Sequence, residues 1–169
     1  MPMDPAQMPE WNAGDAAASL RAFAAWLNET ARATFLEHGT HVELYFLFNG
    51  AGLAGVLPPQ AGMGKEQMLQ NLKTYIHAND IHGVAHVAEA WGYFSRRPGD
   101  HTFRQIEAGE IAVAELKPED RSAVLLVTAA ARDRINLMYL NPIVRAGDRV
   151  SLGEALARLS PLTPDSDFF

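Results

Sequence analysis

The chain has 169 residues, 48% of them hydrophobic and 20% charged, the proportions of a globular chain with one core. It contains no cysteine, which excludes a disulfide framework, a cysteine nucleophile and any thiolate-bound metal or iron–sulfur site. The net charge of −6 gives no basic footprint for phosphate, so nucleic acid is not an expected partner.

Residues 1–13 are Pro-rich and acidic, with neither a basic segment nor an apolar run behind it; they predict a loose arm rather than a signal peptide. Asp15 is a good helix N-cap, because its carboxylate can accept from free amides of the first turn. From there Leu20, Phe23, Leu27, Ala31, Phe35 and His38 recur at three- and four-residue steps. The spacing predicts an amphipathic helix from Asp15 to His38, closed by Gly39. Thr40 to Phe48 is aromatic and branched, which favours a strand. Asn49-Gly50 is a turn pair, Leu53 to Leu57 reads as the returning strand, and Pro58-Pro59 stops it. A second helix is predicted from Gly64 to Ala78, with Met68, Leu69, Leu72, Tyr75 and Ile76 on one face.

Ile81 to Arg97, IHGVAHVAEAWGYFSRR, is the stretch richest in chemistry. Its apolar residues fit both a strand and a helical period. Gly83 and Gly92 are costly inside a helix, so a strand is expected. Residues 96–120 form an excursion with a turn at Pro98-Gly99-Asp100, a short strand over Glu110 to Leu116, and a turn at Pro118-Glu119-Asp120. Ser122 to Ala130 is a continuous apolar run and predicts a central strand buried on both faces. Arg134 to Leu140 alternates and predicts another strand, ended by Asn141-Pro142. Ser151 with Glu154 three residues on resembles a capping box, so a short helix is expected through Leu159. An acidic tail occupies 161–169.

These elements assemble into a single α+β domain over 14–160. The expected order is α-β-β-α-β-β-β-α: an antiparallel sheet of about five strands with the two main helices packed on one face. The other face is then partly open, and Tyr45, Phe46, Trp91, Tyr93, Met138 and Tyr139 are candidates to line it. The most apolar region, Leu44 to Pro59, is broken by Asn49, glycines and prolines and lacks the ~20 apolar residues of a membrane span. A cytoplasmic protein without a membrane partner is expected.

Several motifs carry a hint of chemistry. Gly50-x-Gly52-x-x-Gly55 has dinucleotide-fingerprint spacing, but Pro58-Pro59 stand where the phosphate-binding helix should run, so a glycine-rich hairpin turn is expected instead. Gly62-Met63-Gly64-Lys65-Glu66 lacks the first glycine and the Ser/Thr of a phosphate loop. His38-x-x-His41 sits at a helix-to-strand junction, where a helix-end histidine is explained by the helix dipole. His82-x-x-x-His86-x-x-Glu89 would share one face of a helix and could ligate zinc or iron; on a strand Glu89 points away. Glu89 inside an apolar strand needs a partner, and Arg121 at the start of the next buried strand is one, giving an ion pair that fixes register. Alternatively Glu89, Trp91 and Arg121 form a ligand pocket.

Glu-Ala-Trp at 89–91 followed by Pro118-Glu119-Asp120-Arg121 resembles a group of uncharacterised small bacterial proteins that share a hairpin, a helix and a similar strand pair, over roughly 41–140. That group has no established activity, so no functional residue carries over. The element order also resembles the roadblock and profilin-like layout, which implies an antiparallel sheet with packed helices and, often, a dimerising scaffold. The expectation is a non-catalytic interaction or small-ligand-binding module that self-associates as a homodimer and uses no cofactor. The alternative is a small metal-dependent hydrolase using His82, His86 and Glu89.

Overall fold

Asp15 accepts the Ala18 N–H at 3.1 Å, and Gly39, in the left-handed region at φ 74°, returns its own N–H to the Phe35 carbonyl. Between these caps runs α1, Ala16–His38. The computed structural model describes residues 4–59, 61–95, 97–132 and 135–161. After α1 come β1 (Leu44–Asn49), β2 (Gly52–Leu57), α2 (Lys65–Ala78), β3 (Gly83–Gly92), α3 (His101–Glu107), β4 (Ser122–Ala131), β5 (Ile135–Ala146), β6 (Arg149–Leu152) and β7 (Leu156–Pro161). The strands form one antiparallel seven-stranded sheet in the order β2-β1-β3-β4-β5-β6, with β7 also paired to β5. The α+β class and the strand assignment of 83–92 hold. No helix among the described residues is long and apolar enough to cross a membrane.

The two main helices lie on opposite faces, not on one as expected. Successive side chains of a strand point to opposite faces, and in β1 Tyr45, Phe46, Leu47 and Phe48 are all buried, so both faces need cover. Phe46 and Phe48 pack with Ala85, Val87, Leu125 and Val127 under Leu20, Phe23, Leu27 and Phe35 of α1. Tyr45, Leu47 and Val84 pack with Leu72 and Ile76 of α2 and with Ile81. Met8 and Trp11, expected in a loose arm, join the α1-side core; the Trp11 ring stacks on Phe48 at 4.6 Å.

Four further expectations are corrected. The sheet has seven strands rather than five, and the final helix is absent among the described residues. Leu156–Pro161 instead pairs with Ile135–Leu140, and the ladder prevails over the local capping pattern of Ser151 and Glu154. Asn141-Pro142 does not end β5. It marks the point where β5 leaves β4, whose last partner is Pro142, and takes up β6, beginning at Ile143. The Asn141 side chain turns inward: its amide donates to Asn28 Oδ1 and the Leu125 carbonyl, and its oxygen accepts from Arg32. In the excursion, Glu110 to Leu116 is no strand. Asp100 caps α3 by accepting the Thr102 and Phe103 N–H groups, and single 3₁₀ turns follow at Val113–Glu115 and Pro118–Asp120.

Candidate functional site

The face under α2 is only part-covered, and it carries a polar corner beside an apolar groove. Tyr45 of β1 and His86 of β3 are cross-strand partners, and their rings stack at 4.2 Å with 13° between planes. Glu43, just before β1, lies 2.8 Å from His86 Nε2 through its Oε1, and the same oxygen accepts the Tyr45 hydroxyl at 3.4 Å. Burial, and then the charge of Glu43, pushes the Tyr45 phenol up to about 12. At neutral pH this hydroxyl is therefore a neutral donor, not a base. Thr128 and Met138 continue the same cross-strand row on β4 and β5.

Tyr45 also forms part of a groove of about 610 Å³. Leu57, Pro58 and Pro59 form one wall, and Met68, Leu72 and Tyr75 of α2 the other. Its origin is local. Pro58-Pro59 cannot continue the ladder, so the chain swings away from the sheet. Gly62, at φ 79°, supplies a left-handed turn before α2 begins, and Asn71 Nδ2 contacts Met63 Sδ at 3.4 Å across the lip. None of the described residues that line the groove carries a charge. Its volume lies within the ~300–1,000 Å³ typical of small-molecule sites. The arrangement can hold an uncharged apolar body, and among its described side chains Tyr45, Asn71 and Tyr75 offer hydrogen bonds.

The residues singled out from sequence are dispersed. His82 Nε2 sits 3.2 Å from Asp80 Oδ2, at the turn before β3. His86 faces the α2 side with Glu43. Glu89, at odd spacing from His86, faces the α1 side, where it accepts the Thr40 hydroxyl at 2.7 Å and the His41 N–H at 3.4 Å and lies 3.6 Å from Arg145. His82, His86 and Glu89 therefore do not converge, and among the described residues no group of three such side chains could hold a metal. The expected Glu89–Arg121 ion pair is not formed. Arg121 instead lies over the half-exposed Trp91 ring, 4.2 Å from its centroid, and donates to the Ala114 carbonyl. Of the proposed pocket, Trp91 and Arg121 meet and Glu89 is engaged elsewhere.

The six candidates for an open aromatic face are split as well. Phe46 is buried under α1 and Tyr139 packs against the same core, whereas Tyr45 and Met138 lie on the α2 side. The Tyr93 hydroxyl donates to the Asp100 carboxylate, which holds that acid below its usual range. Sequence reasoning passed over Glu43 and the groove residues Pro58, Met63 and Tyr75 as site residues. One signal could have found them: no Asp, Glu, Lys or Arg occurs from 44 to 64, although 57–59 and 61–64 are mostly exposed. Compared with family models, curated proteins and solved structures, the chain matches none of them.

Proposed function

We propose that the protein is a non-catalytic module that binds a small, uncharged, apolar ligand in the α2-side groove and self-associates. The groove itself carries this reading: an open, preformed concavity whose described lining residues are uncharged, beside one hydrogen-bonded polar corner. Leu57 and Tyr75 stay about two-fifths exposed along it, which a protein without a use for the surface has little reason to keep. The flexible thioethers of Met63 and Met68 suit ligands of varied shape. The Glu43 carboxylate near one end disfavours anionic ligands. The hydrolase alternative loses its support, because His86 and Glu89 point to opposite faces of β3.

The test is a fluorescence titration with N-phenyl-1-naphthylamine, an uncharged apolar probe. Saturable binding is expected at one probe per chain. Leu57→Glu should weaken it by about tenfold or more, since it sets a charge in a site that offers none a partner. Val144→Glu, at an exposed position outside the groove, should leave it unchanged. Equal weakening by both changes, or no saturable binding, overturns the proposal.

A further inference from the structure

We propose that the free edge of β2 pairs antiparallel with β2 of a second copy, so that each groove gains an outer wall from the partner. β2 ends the sheet, hydrogen-bonded to β1 on one side only. Among the described residues, the backbone of 53–57 makes no hydrogen bond apart from its ladder with β1. Edge strands are usually guarded by charge, by proline, by a bulge or by a covering element. Here a bulge is present, since the register skips Ala54 between Leu53 and Gly55, and Pro58 limits the strand at its far end. The strand itself carries no charge, and Glu10 of the N-terminal segment comes beside only its start, at Gly52 and Leu53. The strand and the loop beyond it lie in a run without Asp, Glu, Lys or Arg, in a chain with 34 such residues. Leu53, Val56 and Leu57 are exposed along it, Val56 by 41%.

The missing charge argues for a second copy as the occupant. About a two-fold axis each residue meets its own kind or a near neighbour, so any charge near the axis would face a like charge. A strand that meets itself must be neutral at its centre. One that meets a different partner gains from a charge complementary to that partner. The chain's net charge of −6 opposes self-association in general, and an uncharged edge is a place where that opposition is weak.

An axis perpendicular to the sheet keeps the faces in common. Both α1 helices then lie on one side of a continuous sheet and both α2 helices on the other. The groove opens beside Leu57 and Pro58, so the two grooves flank the seam. The bulge and Pro58 restrict pairing to a few residues around Gly55 and Val56. The apolar side chains must therefore supply most of the affinity.

This inference rests on the self-association in the proposed function and supplies its surface. It does not depend on what fills the groove. The chain has no cysteine, so Val56→Cys introduces a single reporter thiol. Sedimentation velocity of the wild-type chain without added ligand should give twice the 18.5 kDa chain mass at high concentration. Val56→Lys should raise the dimer dissociation constant by about tenfold or more, as lysine does at protected edges. Val56→Cys should form a disulfide-linked dimer under mild oxidation, whereas Ser151→Cys on β6 should not. A wild-type monomer at every concentration overturns both the interface and self-association. A dimer insensitive to Val56→Lys, with no Val56→Cys cross-link, overturns this interface alone and points to another surface.

Discussion

The two faces of the sheet are built from the same strands and are covered differently. Under α1 the aromatic rings interlock: Phe23 sits edge-on to Phe48 at 4.5 Å and tilted against Phe46 at 5.5 Å, and Trp11 stacks on Phe48 beside a hollow of about 400 Å³ at the end of the core. Under α2 the cover is partial. Tyr45 and His86 stack in the open half, and the groove runs beside them. A shorter helix and a proline-broken strand leave there the concavity that a long, well-capped helix removes on the other side. If the proposed function is right, the α1 face supplies stability and the α2 face binding, and changes on each face should separate these quantities.

The largest expected effect is on the closed face. Phe23→Ala removes a fully buried ring from among three aromatic neighbours and should lower unfolding free energy by about 3–5 kcal/mol. Urea denaturation monitored by circular dichroism measures it. Tyr75→Ala, on the exposed side of α2, should change stability by less than about 0.5 kcal/mol yet weaken binding of the naphthylamine probe. If Tyr75→Ala proves as destabilising as Phe23→Ala, the division between the faces fails.

Next comes the polar link between α1 and β5. Asn141 is fully buried and joins Asn28, Arg32 and the Leu125 carbonyl. Asn141→Ala leaves the Asn28 oxygen and the Leu125 carbonyl without this donor, and should cost about 2–3 kcal/mol by the same measurement. Replacing both partners, Asn28→Ala with Asn141→Ala, should cost less than the two single changes added together, because neither leaves the other stranded.

On the open face Tyr45→Phe should cost below about 1 kcal/mol at neutral pH, since the hydroxyl's bond to Glu43 is long. Its sharper signature is in alkali. The folded phenol titrates about 12, above its ordinary value of 10.0. A raised value means that the folded state holds the proton more tightly. The stabilisation is full below pH 10 and is lost as pH rises towards 12. Ultraviolet difference absorbance should show a late tyrosine step that vanishes in Tyr45→Phe.

How much of this was legible in the sequence follows from how local each signal is. The bounds of α1 were readable because Asp15 and Gly39 act within one turn of themselves. The strand type of 83–92 was readable because two glycines oppose a helix wherever they fall. The side of the sheet taken by each helix was not, since it depends on which parity of β1 each helix covers and β1 is apolar at both. The fate of 156–161 was hidden for a related reason: its partner, Ile135–Leu140, lies about twenty residues away and offers an edge that no local capping pattern anticipates. The candidate site fared worse. Glu89 was correctly seen to need a partner, but Arg145, beyond the supposed end of β5 at Asn141-Pro142, was out of view. His86 was singled out for metal, and its actual partner, Glu43, stands in the link before β1.

The smallest expected effect lies at the turn that feeds β3, where both faces begin. Asp80, at φ 50°, accepts from Arg132 at 2.8 Å and lies 3.2 Å from His82 Nε2. The Arg132 hydrogen bond, and then that of His82, holds the Asp80 carboxyl below its usual range. A depressed carboxyl contributes stability that is present above its unfolded value and lost as pH falls through the folded one. The pair is solvated, so its contribution is screened and small. Asp80→Asn keeps a residue type that tolerates a positive φ and removes only the charge. The melting temperatures of Asp80→Asn and wild type should differ slightly at neutral pH and converge in acid. A difference that grows as pH falls would mean that Asp80 acts through the turn's geometry and not through its charge. The start of β3 would then depend on backbone conformation alone.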